Sequence, residues 1–237
     1  SPEIGNCVVT PVGRCDKLNP MPDFAFEFTF SYYPISALIN VIASIILGTF
    51  VYFTNKRSST NIGFALFAWF VAAWSMGYFF WQISANAETA LFWSRALMVG
   101  AIFTPIAFLQ FIFGLLDLSK RRKKFIYGSY FLFSLFLFIS FTPLFISRVE
   151  PALSFDFWPK PGPLYHIFLA LWFSYLVYAA YILLRQYGKV SRVKKNQIKY
   201  VLAAMIIAFT SGSTNYFLWY DIPIPPVANI LVSVYVA

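Results

Sequence analysis

Charge is scarce in this chain: of 237 residues only 11% are Asp, Glu, Lys or Arg, beside one histidine and two cysteines. So thin a supply of ionisable side chains leaves little material for acid, base or metal chemistry. No enzyme activity, catalytic residue or metal site is expected of this segment. No phosphate-cradling glycine loop, His-Glu-x-x-His or Gly-x-Ser-x-Gly pattern occurs, and no cofactor is expected. The net charge of +9 would suggest nucleic acid in a soluble chain. The placement of the basic residues gives it another meaning, so nucleic acid is not an expected partner.

Apolar material is abundant instead. The chain is 59% hydrophobic, with 29 Phe, 15 Tyr and 7 Trp and a mean hydropathy of +0.68. One or two soluble domains cannot hide so much apolar surface, and the expected partner is the lipid bilayer. Crossing its core takes about 20 apolar residues. Six such windows run over 33–53, 61–82, 90–116, 125–147, 164–184 and 198–220, and a seventh begins at 225. The expected fold class is an all-α membrane protein, a seven-transmembrane-helix bundle over 33–237 preceded by a short extracellular segment, 1–32. The seventh window reaches only Ala237, about 20 Å of helix; it is expected to be cut short and to continue into the cytoplasm.

Basic residues near helix ends set orientation. Lys56 and Arg57, the run Lys120-Arg-Arg-Lys-Lys124, and Arg185, Lys189, Arg192, Lys194, Lys195 and Lys199 all fall on one side of the predicted bundle. Every acid except Asp117 falls on the other. The expected arrangement is a multi-pass protein of the cell (inner or plasma) membrane with its N-terminus outside and its C-terminus cytoplasmic. The run 119–124 also has the composition to hold anionic headgroups, although topology alone accounts for it.

Cys7 and Cys15 flank a short turn-rich stretch on the oxidising side, where a disulfide is favoured over two free thiols. The absence of an initial methionine suggests that an upstream signal or propeptide was removed. Between Arg148 and Pro163, three prolines with Phe155, Phe157 and Trp158 point to a structured outer cap.

Polar side chains inside a bilayer are costly and face the bundle interior or a wet cavity. Asn40, Gln82, Trp93, Arg95, His166, Asn215, Trp219 and Asn229 all fall in the outer half of the predicted spans and form the candidate ligand-binding set. Thr210-Ser-Gly-Ser-Thr-Asn215 reads equally well as close helix packing or as ligand lining. Arg95 is expected to pair with Glu88 or a loop carboxylate more than with a ligand, and His166 to form an interfacial hydrogen bond. Pro105 is expected to kink the third span. No acid lies at a midplane, which argues against a proton or ion relay. Residues 225–237 contain no lysine for a retinal Schiff base, and the eukaryotic receptor motifs Asp-Arg-Tyr and Asn-Pro-x-x-Tyr are absent.

Three stretches resemble the seven-transmembrane N-terminal sensor region of bacterial and archaeal membrane histidine kinases. The first is 64–78, with Trp74, Gly77 and Tyr78; the second is 91–105, with Trp93, Arg95, Gly100 and Pro105. The third runs from Asn196-Gln-Ile-Lys-Tyr200 through Asn215 to Ile224-Pro-Pro-Val-Ala-Asn229. The likeness spans roughly 33–237. It implies a sensory module of a two-component system: an unknown small or amphiphilic ligand binds in an outer-half cavity, and the seventh helix relays the event to a cytoplasmic output. It also implies a homodimer formed through that output region. The alternative expectation is a structural or accessory subunit of a larger membrane complex; a transporter ranks third.

Overall fold

A computed structural model describes residues 31–232 together with 7–9, 15–17 and 26. Strands β1 (Cys7–Val9) and β2 (Cys15–Lys17) pair antiparallel, with Val9 opposite Cys15. The expected Cys7–Cys15 disulfide concerns side chains outside the described residues.

The remainder is mostly helical: α1 (Tyr32–Thr54), α2 (Ser59–Gln82), α3 (Ala87–Ala96), α4 (Met98–Leu115), α5 (Ser119–Ser140), α6 (Pro163–Tyr187) and α7 (Arg192–Trp219). A short 3₁₀ turn at Val227–Leu231 follows. Local chemistry fixes several boundaries. The Ser58 hydroxyl accepts from the Asn61 amide to cap α2, and the Asn61 side chain donates to the Val51 carbonyl at 2.9 Å, closing the α1–α2 turn. Asn86 caps α3 by accepting from Thr89 at 2.8 Å, and Pro163 opens α6 where its missing N–H costs nothing.

Among the described residues, five helical stretches are long and apolar enough to cross a membrane: α1, α2, the joined α3 and α4, α6 and α7. The fourth predicted window is shorter than expected. Its helix begins on five consecutive basic residues and ends at Ser140, and the chain then turns into strand β3 (Ile146–Ala152). Phe145 and Ile146 are apolar because they are buried under protein. β3 pairs antiparallel with β4 (Phe155–Pro161) around Leu153, whose φ of 53° makes the tight reversal. The cap expected from the prolines is therefore a β-hairpin. Its own Trp158 is fully buried and meets Trp81 of α2 edge-on at 4.7 Å.

Two ends of the bundle are thus distinguishable: a hairpin end, and a basic end where α2, α5 and α7 begin. The seam between α2 and α4 runs from one to the other. Gly63 and Gly77 on α2 and Gly100 and Gly114 on α4 lie where any side chain would strike the opposite backbone. A Cβ on Gly77 would sit 2.6 Å from Leu97 Cα, and one on Gly114 2.6 Å from Thr60 Cα. Within each helix the two glycines are two heptads apart, so they share a face and allow close backbone approach. As a result α4 is enclosed, with Ile102, Ile106, Leu109, Ile112 and Phe113 fully buried.

The third span is interrupted at Leu97, between α3 and α4, and not at Pro105. Proline at 105 removes the N–H that would bond the Ala101 carbonyl. The indole of Trp172 on α6 supplies the replacement, donating to that carbonyl at 3.0 Å. A partner from a neighbouring helix therefore compensates the proline.

Candidate functional site

Three of the polar residues singled out by depth meet in space. Asn40 of α1, Asn215 of α7 and Asn229 of the terminal turn are all buried. The Asn40 amide donates to the Asn229 backbone carbonyl at 3.1 Å, and the Asn215 amide donates to the Asn229 side-chain oxygen at 3.2 Å. Tyr32 adds a hydroxyl bond to the Val227 carbonyl. Polar groups thus tie the terminal turn to both α1 and α7, beside the apolar seat of Val232 next to Gly212.

That cluster is not saturated. Asn40 Oδ1, Asn215 Oδ1 and Asn229 Nδ2 are buried with no partner among the described residues, as is the Tyr78 hydroxyl. Buried polar atoms are nearly always bonded to something, and each one left alone costs about 1–3 kcal/mol. The site therefore has hydrogen-bonding capacity available to a small polar guest or water.

Beside the cluster lies a narrow chamber between α2, α4, α6 and α7. Trp74, Ala101, Thr104, Trp172, Gly212 and Tyr216 form much of its wall, with about 60 Å³ open to the centres of water-sized molecules. A second compartment of about 30 Å³ shares Trp74, Ala101, Gly212 and Tyr216 and adds Tyr78, Asn215 and Trp219. Trp219 is stacked on Tyr165 at 4.5 Å with the rings 9° apart, which fixes that wall.

The polar run on α7 divides between its two readings. Ser211 and Ser213 bond back to the carbonyls of Ile207 and Phe209 at 2.6 Å, and Thr214 to Ser211 at 2.6 Å. These hydroxyls are consumed locally. Gly212 and Asn215 instead face the chamber.

The other candidates are elsewhere. Gln82 borders a separate cleft of about 330 Å³ under the hairpin, with Tyr33, Trp81, Ser154, Phe155 and Asp156. Trp93 stacks on Phe80 at 4.4 Å. Arg95 does not pair with Glu88; its guanidinium donates to the Ile146 carbonyl at 2.8 Å and ties α3 to β3. A backbone carbonyl thus replaces the expected carboxylate. His166 Nδ1 lies 2.8 Å from the Tyr220 hydroxyl, a hydrogen bond at the hairpin end of α6. Depth did not single out Trp74, Trp172, Thr104 or Tyr216. The available signal was Pro105, which leaves a carbonyl four residues earlier in need of a donor.

A family model described as the N-terminal 7TM region of histidine kinase matches residues 36–237. The chain belongs to this family. Neither a curated protein nor a solved structure matches it. Membership makes the segment the membrane region of a sensor histidine kinase family, a part that is not itself catalytic, and the family name implies a parent kinase. The chamber beside the asparagine cluster is thus a feature of a histidine kinase membrane region, and its apolar helices fit that location.

Proposed function

We propose that this 7TM region receives a small or amphiphilic signal in the chamber at the hairpin-end half of the bundle and relays it through the seventh span to a cytoplasmic kinase. In this reading α5 is the fourth span and the seventh starts at the terminal turn. The hairpin faces outward and the basic end faces the cytoplasm, as positively charged loops require. The protein is a multi-pass resident of the cell membrane.

The observation that carries the relay is the double hold on Asn229 by Asn40 and Asn215. A guest that bonds Asn215 Oδ1 or the Tyr78 hydroxyl competes with or reinforces that hold, and so favours one position of the seventh span over another. A differential affinity of about 1–3 kcal/mol suffices for a useful response. The chamber is too narrow for anything beyond a few atoms unless α7 moves away from α4, so entry and movement are one event.

Two experiments test the reading. In the parent kinase, Asn229→Ala and Asn40→Ala are expected to shift autophosphorylation several-fold at unchanged abundance; kinase activity indifferent to both sinks the relay. For orientation, Ser154→Cys in a background without Cys7 and Cys15 is expected to react with a membrane-impermeant maleimide in intact cells, and Lys120→Cys only after lysis. The reverse labelling pattern overturns the orientation.

A further inference from the structure

The basic end holds a further cavity, which the relay does not use. It offers about 280 Å³ to water-sized molecules and lies between the starts of α2 and α5 and the end of α4. Ser59, Gln110, Ser119, Lys120 and Lys123 supply its polar wall, and Phe113 and Ile126 its apolar one. Its shape is imposed by the glycine seam: Gly114 brings the end of α4 so near the start of α2 that a Cβ there would lie 2.7 Å from the Thr60 nitrogen. Ser59 is thereby fixed in place, and its hydroxyl donates to that of Ser119 at 2.5 Å.

The charge around this cavity is unbalanced. The nearest acid in sequence, Asp117, is paired with Lys194 of α7. Among the described residues no carboxylate pairs with Lys120 or Lys123; Lys123 only lies over the Tyr127 ring, at 5.5 Å from its centroid. Two ammonium groups and the Ser119 hydroxyl, oriented by Ser59, therefore converge on one concave space that holds no carboxylate among the described residues. The first turn of α5 also has no side-chain cap, which adds unbonded N–H groups to the same region.

We infer that this cavity binds a phosphate group, and that its source is the headgroup of an anionic phospholipid. Lysine ammonium groups and serine hydroxyls are the donors that phosphate oxygens accept from. The lipid source is argued from the other wall. Tyr127 also lines the cavity and, with Phe131 one turn further along α5, stands outward on the exposed apolar face of that helix. A headgroup held by the lysines thus leaves its acyl chains alongside α5, and basic pockets between membrane helices suit such headgroups.

Native mass spectrometry of the purified protein, titrated with phosphatidylglycerol or with phosphatidylcholine of the same chain length, tests this. Phosphatidylglycerol is expected to be retained preferentially. The double variant Lys120→Gln/Lys123→Gln should weaken its binding about tenfold or more, while Lys189→Gln/Lys199→Gln, which removes equal charge from the same end outside the cavity, should leave it within about twofold. Ser59→Ala should give a smaller loss without changing either lysine. If no lipid preference is seen but inorganic phosphate raises the melting temperature of the wild type and not of the Lys120/Lys123 variant, the phosphate site stands and its source is soluble. Equal loss in both double variants, or no response to either ligand, overturns the inference.

Discussion

Helices α4 and α7 are both apolar enough to cross a membrane, yet the protein treats them in opposite ways. In the joined α3 and α4, 72% of the most apolar window is buried inside the bundle, against 22% in α7. Apolarity alone does not set this: α6 is as apolar as the joined α3 and α4 over its best window, yet only 33% of that window is buried, because lipid and protein interior are similarly apolar solvents. Small residues do. Gly100 and Gly114 let α4 meet the α2 backbone directly, whereas Gly212 of α7 faces open space, its hypothetical Cβ meeting only a Val232 methyl group at 3.7 Å. The enclosed helix is a fixed post, and the exposed one has the looser packing expected of a part that moves.

The sharpest way to break this comparison is to place a side chain at each glycine. Gly100→Leu should cost about 3 kcal/mol or prevent folding, since the added atoms meet the Trp74 and Phe70 backbone. Gly212→Ala should be neutral or stabilising by up to about 1 kcal/mol. Equal melting temperatures for the two variants in detergent would remove the distinction. The next effect in size concerns the proline in the post. Trp172→Phe leaves the Ala101 carbonyl without its donor and should cost about 1–3 kcal/mol. In a Pro105→Ala background, which returns a backbone N–H, the same change should cost less, and a double-mutant cycle measures the difference.

Smaller effects are expected on the α7 side. Asn215→Ala should cost only about 0.6 kcal/mol of stability, the average for a polar contact between membrane helices. Its signature should appear in kinase output, read by autophosphorylation of the parent protein. Asp221→Asn, which removes the exposed partner of Lys160, should cost less than about 1 kcal/mol and become silent at high salt in a thermal melt.

Helix positions and the family likeness were legible in the sequence because length and apolarity are one-dimensional properties. The angular placement of the polar residues was not. Depth alone grouped eight residues, but Asn40, Asn215 and Asn229 turn toward one another while Gln82 turns to the hairpin cleft and Arg95 to the Ile146 carbonyl. The depth of a residue follows from counting along its helix; its azimuth follows from packing, which is a property of neighbours. The fourth window extends past its helix for a related reason: Phe145 and Ile146 look like lipid-facing residues, but Phe145 packs under Tyr165 and Phe168 of α6 and Ile146 is the buried first residue of β3.

The two aspartates at the ends of α7's ion pairs have a mechanical consequence. Asp117 and Asp221 both adopt left-handed backbone conformations, with φ of 57° and 60°, in turns that end α4 and α7. Asp117 holds Lys194 in the first turn of α7, and Asp221, just past its last turn, holds Lys160 of β4. Exposed pairs of this kind contribute about 1 kcal/mol or less each, so they tether the tips of α7 without locking the helix. The turn carrying Asn229 hangs from α7 at Asn215, one helical turn before its last residue, Trp219. In the relay proposed above, what α7 hands on is the pivot of that tip.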